Sequence, residues 1–236
     1  MANNQADDDL EHRLVAWAAA EQQGLRVEKE HELCGVLTAS LKPVRQLPSK
    51  AKLTGRFLLA FAACAAGLMA TLDKAGFHMM TAAQMTGMAV ILAGGGVLFS
   101  VSLVGRMVPG SRSALPFWML LVTSGLAVSG GMALLFPWRA SHVVVSEGWP
   151  CAVMELAIAV PAAAIFWSLA RRGALFASAG LGAALTGLAV FLALTAVQFQ
   201  CMYPQAPHVL VWHGGMAVLL IALGAAIGRA MELRLP

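Results

Sequence analysis

The side chains best suited to chemistry in this sequence are two cysteines and two histidines set among apolar residues. Cys151 opens the run CAVMELAIAVPAAAIFWSLA, while Cys201, His208 and His213 fall in VQFQCMYPQAPHVLVWHGG, residues 197–215, a stretch without Lys, Arg, Asp or Glu. Thiolates and neutral imidazoles are soft or borderline metal ligands, and thiols also carry redox chemistry. Glu155 follows Cys151 by four residues, one helical turn along the same face. A carboxylate inside an apolar run is a functional candidate, with Gln198, Gln200 and His213 as its candidate polar partners. No C-x-x-C pair, H-E-x-x-H pair, P-loop or nucleophile elbow is present, so thiol oxidoreductases, zinc hydrolases and nucleotide enzymes lack their signatures. Haem would need histidines mid-helix on facing spans, and these stand in loops or at helix ends. No enzymatic activity and no resident cofactor are expected. Metal binding at Cys151, Cys201 and His208 is the one inorganic candidate.

These residues must be positioned by helices that cross a membrane. The chain of 236 residues is 59% hydrophobic and 12% charged, with mean hydropathy +0.73. A hydrocarbon core about 30 Å thick needs roughly 20 apolar helical residues. Six runs qualify, at about 56–72, 85–105, 114–136, 151–170, 174–199 and 208–228. Lys and Arg number 8 in the tail up to Arg56, then 1, 2, 1, 2, 0 and 2 in the successive connections and the C-terminus. The alternation places both termini on the cytoplasmic side. Trp138, Trp149 and Trp212 then belong to the outer interface and Trp118 and Trp167 to the inner one. The expected fold is all-α, a six-transmembrane-helix bundle over residues 56–236 with a short helical cytoplasmic N-terminal tail, 1–55. The basic pI expresses this topology, and no direct nucleic-acid contact is expected. Residues 1–50 are too polar for a cleavable signal peptide. Gly224-x-x-x-Gly228, Gly94–Gly96, Gly130-Gly131 and the series Gly180, Ala184, Gly187 mark close helix approach.

On this topology Cys151 and Cys201 share the outer face, at the start of the fourth span and the end of the fifth. In a bacterial inner membrane that face is oxidising, so a disulfide would persist there. It requires a Cα separation of about 4.4–6.8 Å. Three readings stand open: a structural disulfide, a redox- or metal-responsive thiol pair with His208 or His213 as further ligands, and unpaired inert cysteines. Cys34 lies on the reducing side, and Cys64, mid-span, reads as a small buried hydrophobe.

The tail is split by charge. Residues 1–32 carry eight acids and three bases, and residues 33–56 carry five bases and no acid. DDDLEHRLVAWAAAEQQG predicts a helix with Leu10, Leu14 and Trp17 on one face, and a second helix over about 27–41 presents Leu33, Val36, Leu37 and Leu41. Pro43 ends it. Two stripes this small cannot build an independent core, so they bury against a partner protein or the lipid bilayer.

The segments LTASLKPVRQLPSKAKLTGRFLLA, CAVMELAIAVPAAAIFWSLARRGA and QCMYPQAPHVLVWHGGMAVLLIALGAAIGR, in this order, resemble the negative regulator of sigma F family, six-span membrane anti-sigma factors of bacteria. The resemblance runs over about 37–236. It implies that the tail sequesters an extracytoplasmic-function sigma factor and that the outer cysteines sense metal or oxidative stress. Leu41, Pro43, Val44, Arg45 and Leu47 match the family's tail motif, and Cys151 and Cys201 its two cysteines. Residues 1–30 lie before the family's usual start. A small metal or solute transporter of the inner membrane is the alternative reading, and a membrane redox enzyme the third. A transporter needs polar groups deep in the bundle, and Glu155, Gln198 and Gln200 are almost all the spans offer.

Overall fold

Of the computed structural model, residues 12–19, 31–32, 34–35, 38, 48–73, 75–108, 116–139, 147–171 and 178–232 are described. The chain divides into two units, Met1–Gln46 and Leu47–Pro236. In the first, residues 12–19 are helical with Leu14 and Trp17 exposed. Residues 31–32, 34–35 and 38 are helical too, and the Thr38 hydroxyl donates to the Cys34 carbonyl at 2.6 Å. The predicted contact residues Leu33, Val36, Leu37, Leu41, Pro43, Val44, Arg45 and Leu47 lie outside the described residues.

The second unit holds six helices long and apolar enough to cross a membrane: α1 (Lys50–Thr71), α2 (Ala82–Met107), α3 (Phe117–Leu135), α4 (Trp149–Ala170), α5 (Ala179–Gln200) and α6 (Ala206–Glu232). No strand occurs among the described residues. Each helix overlaps its predicted run, and the largest difference is at α1, which starts six residues early. Ser49 explains it: its hydroxyl accepts from the Lys52 N–H at 3.4 Å and caps the helix there. Leu53, Phe57 and Phe61 then recur every four residues as the buried stripe of α1.

α5 is the axis of the bundle, packing against each of the other five spans. Its sequence AGLGAALTGLAVFLALTAVQFQ has no polar face, and a helix that is apolar all round belongs in the interior. Small residues let the neighbours approach. A Cβ on Gly182 would meet the Gly224 carbonyl and lie 3.2 Å from the Gly228 Cα, so α5 and α6 touch backbone to backbone. The predicted small-residue sites divide: Gly95, Gly96 and Gly131 abut Phe191, Phe61 and Ile91, whereas Gly94 and Gly130 have nothing close. Outward, Leu59, Val90, Leu126, Leu134 and Val160 are exposed. This apolar exterior suits lipid and would be a liability in water.

One end of the bundle gathers the end of α1, the start of α2, the end of α3, the start of α4, the end of α5 and the start of α6. Thr81 and Gln84 form a capping box on α2, and the same Gln84 amide donates to the Leu135 carbonyl of α3 at 2.9 Å. The Ala206 N–H donates to the Pro137 carbonyl at 3.1 Å. These bonds lock the connections at the end that carries Cys151, Cys201, His208 and His213.

Candidate functional site

Each of the four soft side chains is delivered by a helix terminus at that end. Cys151 sits in the first turn of α4, where Pro150 is well placed because the first turn has no intrahelical use for its missing N–H. Cys201 is the residue on which α5 stops, its N–H bonded to the Val197 carbonyl. The uncharged turn Met202–Gln205 leads into α6, whose first residues, Ala206–His208, are α-helical and whose next six, Val209–Gly214, form a π-helix. Hydrogen bonds in a π-helix run from i to i+5, which widens the turn and brings residues five apart nearer to one face. His208 and His213 are five apart, and their rings meet edge-on with centroids at 5.5 Å.

The result is a compact cluster. One ligand atom from each of Cys151, Cys201, His208 and His213 lies within 4.8 Å of all the others. The two sulfurs are 3.9 Å apart, and His208 Nε2 is 3.3 Å from the Cys201 sulfur and 3.7 Å from that of Cys151. Both cysteines are thiols here. Cys201, His208 and His213 are buried, and Cys151 is half-buried. Beside the thiols a pocket of about 400 Å³ opens, lined among others by Trp149, Met154, Gln200 and Met202. The hydrogen bond between the two sulfurs, together with burial, pushes the Cys201 thiol up in pKa.

A second layer holds the cluster in place. Gln198, on α5, accepts from His213 Nδ1 at 3.0 Å and points its amide nitrogen at the Met80 sulfur, 3.9 Å away. With Nδ1 carrying the proton, His213 Nε2 keeps its lone pair, and that atom is buried without a hydrogen-bond partner among the described residues. The Tyr203 hydroxyl donates to the Glu147 carboxylate, which raises the phenol's pKa, and the Tyr203 ring lies 5.6 Å from that of His208. A short 3₁₀ helix, Gly76–Met79, covers Cys201. A Cβ on Gly76 would stand 2.5 Å from the Cys201 carbonyl oxygen and 2.9 Å from its nitrogen, so only glycine fits. Phe77 rests on Phe199 with ring centroids at 5.9 Å.

Thus the four predicted soft ligands come together, while Glu155 behaves differently from expectation. It is fully buried and pairs with none of Gln198, Gln200 and His213: both its oxygens lack a hydrogen-bond partner among the described residues, and Gln198 is taken by His213 and Met80. Nor does its carboxylate join the convergent ligand atoms. His78 is exposed on the 3₁₀ helix, against Phe77, and His142 lies outside the described residues. Cys64 packs into the core as a hydrophobe, and Cys34 is exposed. Gln198 and Gly76 went unread as supports of the site; the only signal was Gln198 standing among apolar residues three positions before Cys201.

The family described as negative regulator of sigma F matches the chain over residues 37–233. No curated protein and no solved structure matches it.

Proposed function

The chain belongs to the negative regulator of sigma F family, and from that premise we propose that it is a membrane-anchored anti-sigma factor of a bacterial inner membrane, with both termini cytoplasmic. It holds an extracytoplasmic-function sigma factor on its N-terminal tail and acts by binding, without catalysis. The observation that carries this reading is the family match itself, which takes in the basic end of the tail as well as all six spans.

Physical chemistry supports the division of labour. A tail with two short apolar stripes gains too little from burial to fold by itself, and folds on a partner instead. Leu33, Val36, Leu37 and Leu41 supply the apolar contact, and Pro43, Val44, Arg45 and Leu47 extend the partner-binding surface. The eight acids of residues 1–32 complement a basic, DNA-binding surface, steering the partner to the membrane. The signal enters at the other end, where Cys151 and Cys201, with His208 and His213 beside them, respond to metal or oxidant. Because α5 packs on every other span, a change at its Cys201 terminus is felt throughout the bundle.

Transcription in cells tests the proposal. Deleting the gene is expected to raise expression from promoters of the cognate sigma factor, and restoring the full chain to lower it. Unchanged expression in both strains would reject an anti-sigma role.

A further inference from the structure

The cluster at the α4–α5–α6 end has the donor set and spacing of a metal centre. A zinc-class ion takes sulfur at about 2.3 Å and imidazole nitrogen at about 2.0–2.1 Å in a tetrahedron, which sets two sulfurs about 3.8 Å apart and sulfur from nitrogen about 3.5 Å. The two sulfurs here are 3.9 Å apart, and the two sulfur–nitrogen separations to His208 are 3.3 and 3.7 Å. A disulfide would need the sulfurs at about 2.05 Å, nearly two ångströms closer.

The fourth corner is marked independently. His213 Nε2 is buried and makes no hydrogen bond among the described residues, and its other nitrogen is fixed by Gln198. Ligating histidines characteristically spend their second nitrogen on such an outer hydrogen bond. Charge agrees as well: two thiolates and two neutral imidazoles around a divalent cation sum to zero, and a neutral centre is what a site at a membrane-helix terminus can bury at least cost. Hard cations such as Mg²⁺ or Ca²⁺ prefer oxygen ligands and are disfavoured.

We propose that Cys151 Sγ, Cys201 Sγ, His208 Nε2 and His213 Nε2 bind one zinc-class divalent ion tetrahedrally, with Gln198 orienting His213. The ion ties the start of α4 to the end of α5 and the start of α6, so its occupancy sets the relative positions of three spans. This deepens the signalling role proposed for the same cysteines and rests on that reading for its biological meaning, though not for its chemistry.

The test uses the full chain, purified in detergent through a tag free of histidine, loaded with Zn²⁺ and desalted. The expected result is one zinc per chain with an X-ray absorption shell of two sulfurs and two nitrogens. Cys201→Ser and His213→Ala should each lose at least about tenfold in affinity, the lower end of what even outer-shell losses cost. Sub-stoichiometric zinc in the wild type, a shell without sulfur, or undiminished binding by the variants would overturn the site. The absorption spectrum is read on the unaltered protein, so misfolding of a variant does not decide the matter. Sigma-factor capture by the same preparations separates the two proposals. Zinc bound without capture sinks the anti-sigma reading alone, and capture without zinc sinks the metal site alone.

Discussion

His208 and His213 turn their rings toward each other at 5.5 Å although five residues separate them. In an α-helix, at 3.6 residues per turn, positions five apart diverge by about 140°. The π-helical turn Val209–Gly214 narrows that divergence, and such turns recur at functional sites because they re-aim side chains at the cost of regular hydrogen bonding. Here it brings the second histidine to two thiols.

Gln198 should matter through His213. Replacing Gln198 by Leu removes the acceptor for His213 Nδ1 and leaves the ring free to change tautomer. Zinc affinity is expected to fall about 10–100-fold with the stoichiometry unchanged. Competition titration against a chelating dye measures this, and an unaltered affinity would assign Gln198 to packing alone.

Glu155 is expected to be dispensable for metal. Its oxygens are buried and without hydrogen-bond partners among the described residues, and a buried polar group left unpaired costs about 1–3 kcal/mol. Glu155→Leu should therefore raise the thermal denaturation temperature in detergent and leave zinc stoichiometry at its wild-type value. A fall in stability would mean that the carboxyl serves a partner in the membrane.

The 3₁₀ helix should act as a cover. An alanine at position 76 places its Cβ against the Cys201 backbone, and overpacking of this kind costs about 1–3 kcal/mol. The expected outcome of Gly76→Ala is a displaced cover and faster alkylation of Cys201 by a membrane-impermeant maleimide. Equal labelling rates would show that the segment does not guard the thiol.

Close approach of α5 and α6 depends on Gly228, whose Cβ would run into the Ser178 carbonyl and lie 3.1 Å from the Gly182 nitrogen. Gly228→Val is expected to separate the helices and lower the denaturation temperature more than Gly94→Val, since Gly94 has open space around it. Comparable losses in the two variants would contradict this packing.

Much of this arrangement was legible in the sequence. The spans follow from apolar run length, and the meeting of Cys151 with Cys201 follows from an antiparallel fourth and fifth span joined by a short connection. What escaped depends on rotation about helix axes and on backbone irregularity. Glu155 shares a face with Cys151 by spacing, yet it finds no polar partner across the bundle. Gln198 reads from the sequence as a partner for Glu155, and only the packing of α5 on α6 gives it to His213. The π turn has no composition signature in VLVWHG, so the sequence offers His208 or His213 as a further ligand without showing that both reach the thiols. Gly76 is one glycine in a connection, and only the docked 3₁₀ helix shows why a side chain is excluded.

An anti-sigma role stands most directly on whether the tail binds a sigma factor. The measurement is retention of the cognate sigma factor on the full chain in detergent, beside a chain lacking residues 1–46, the first of its two units. Retention by the full chain and its loss on truncation is the predicted result. Failure of the full chain to retain it, or equal retention by both, would contradict the account.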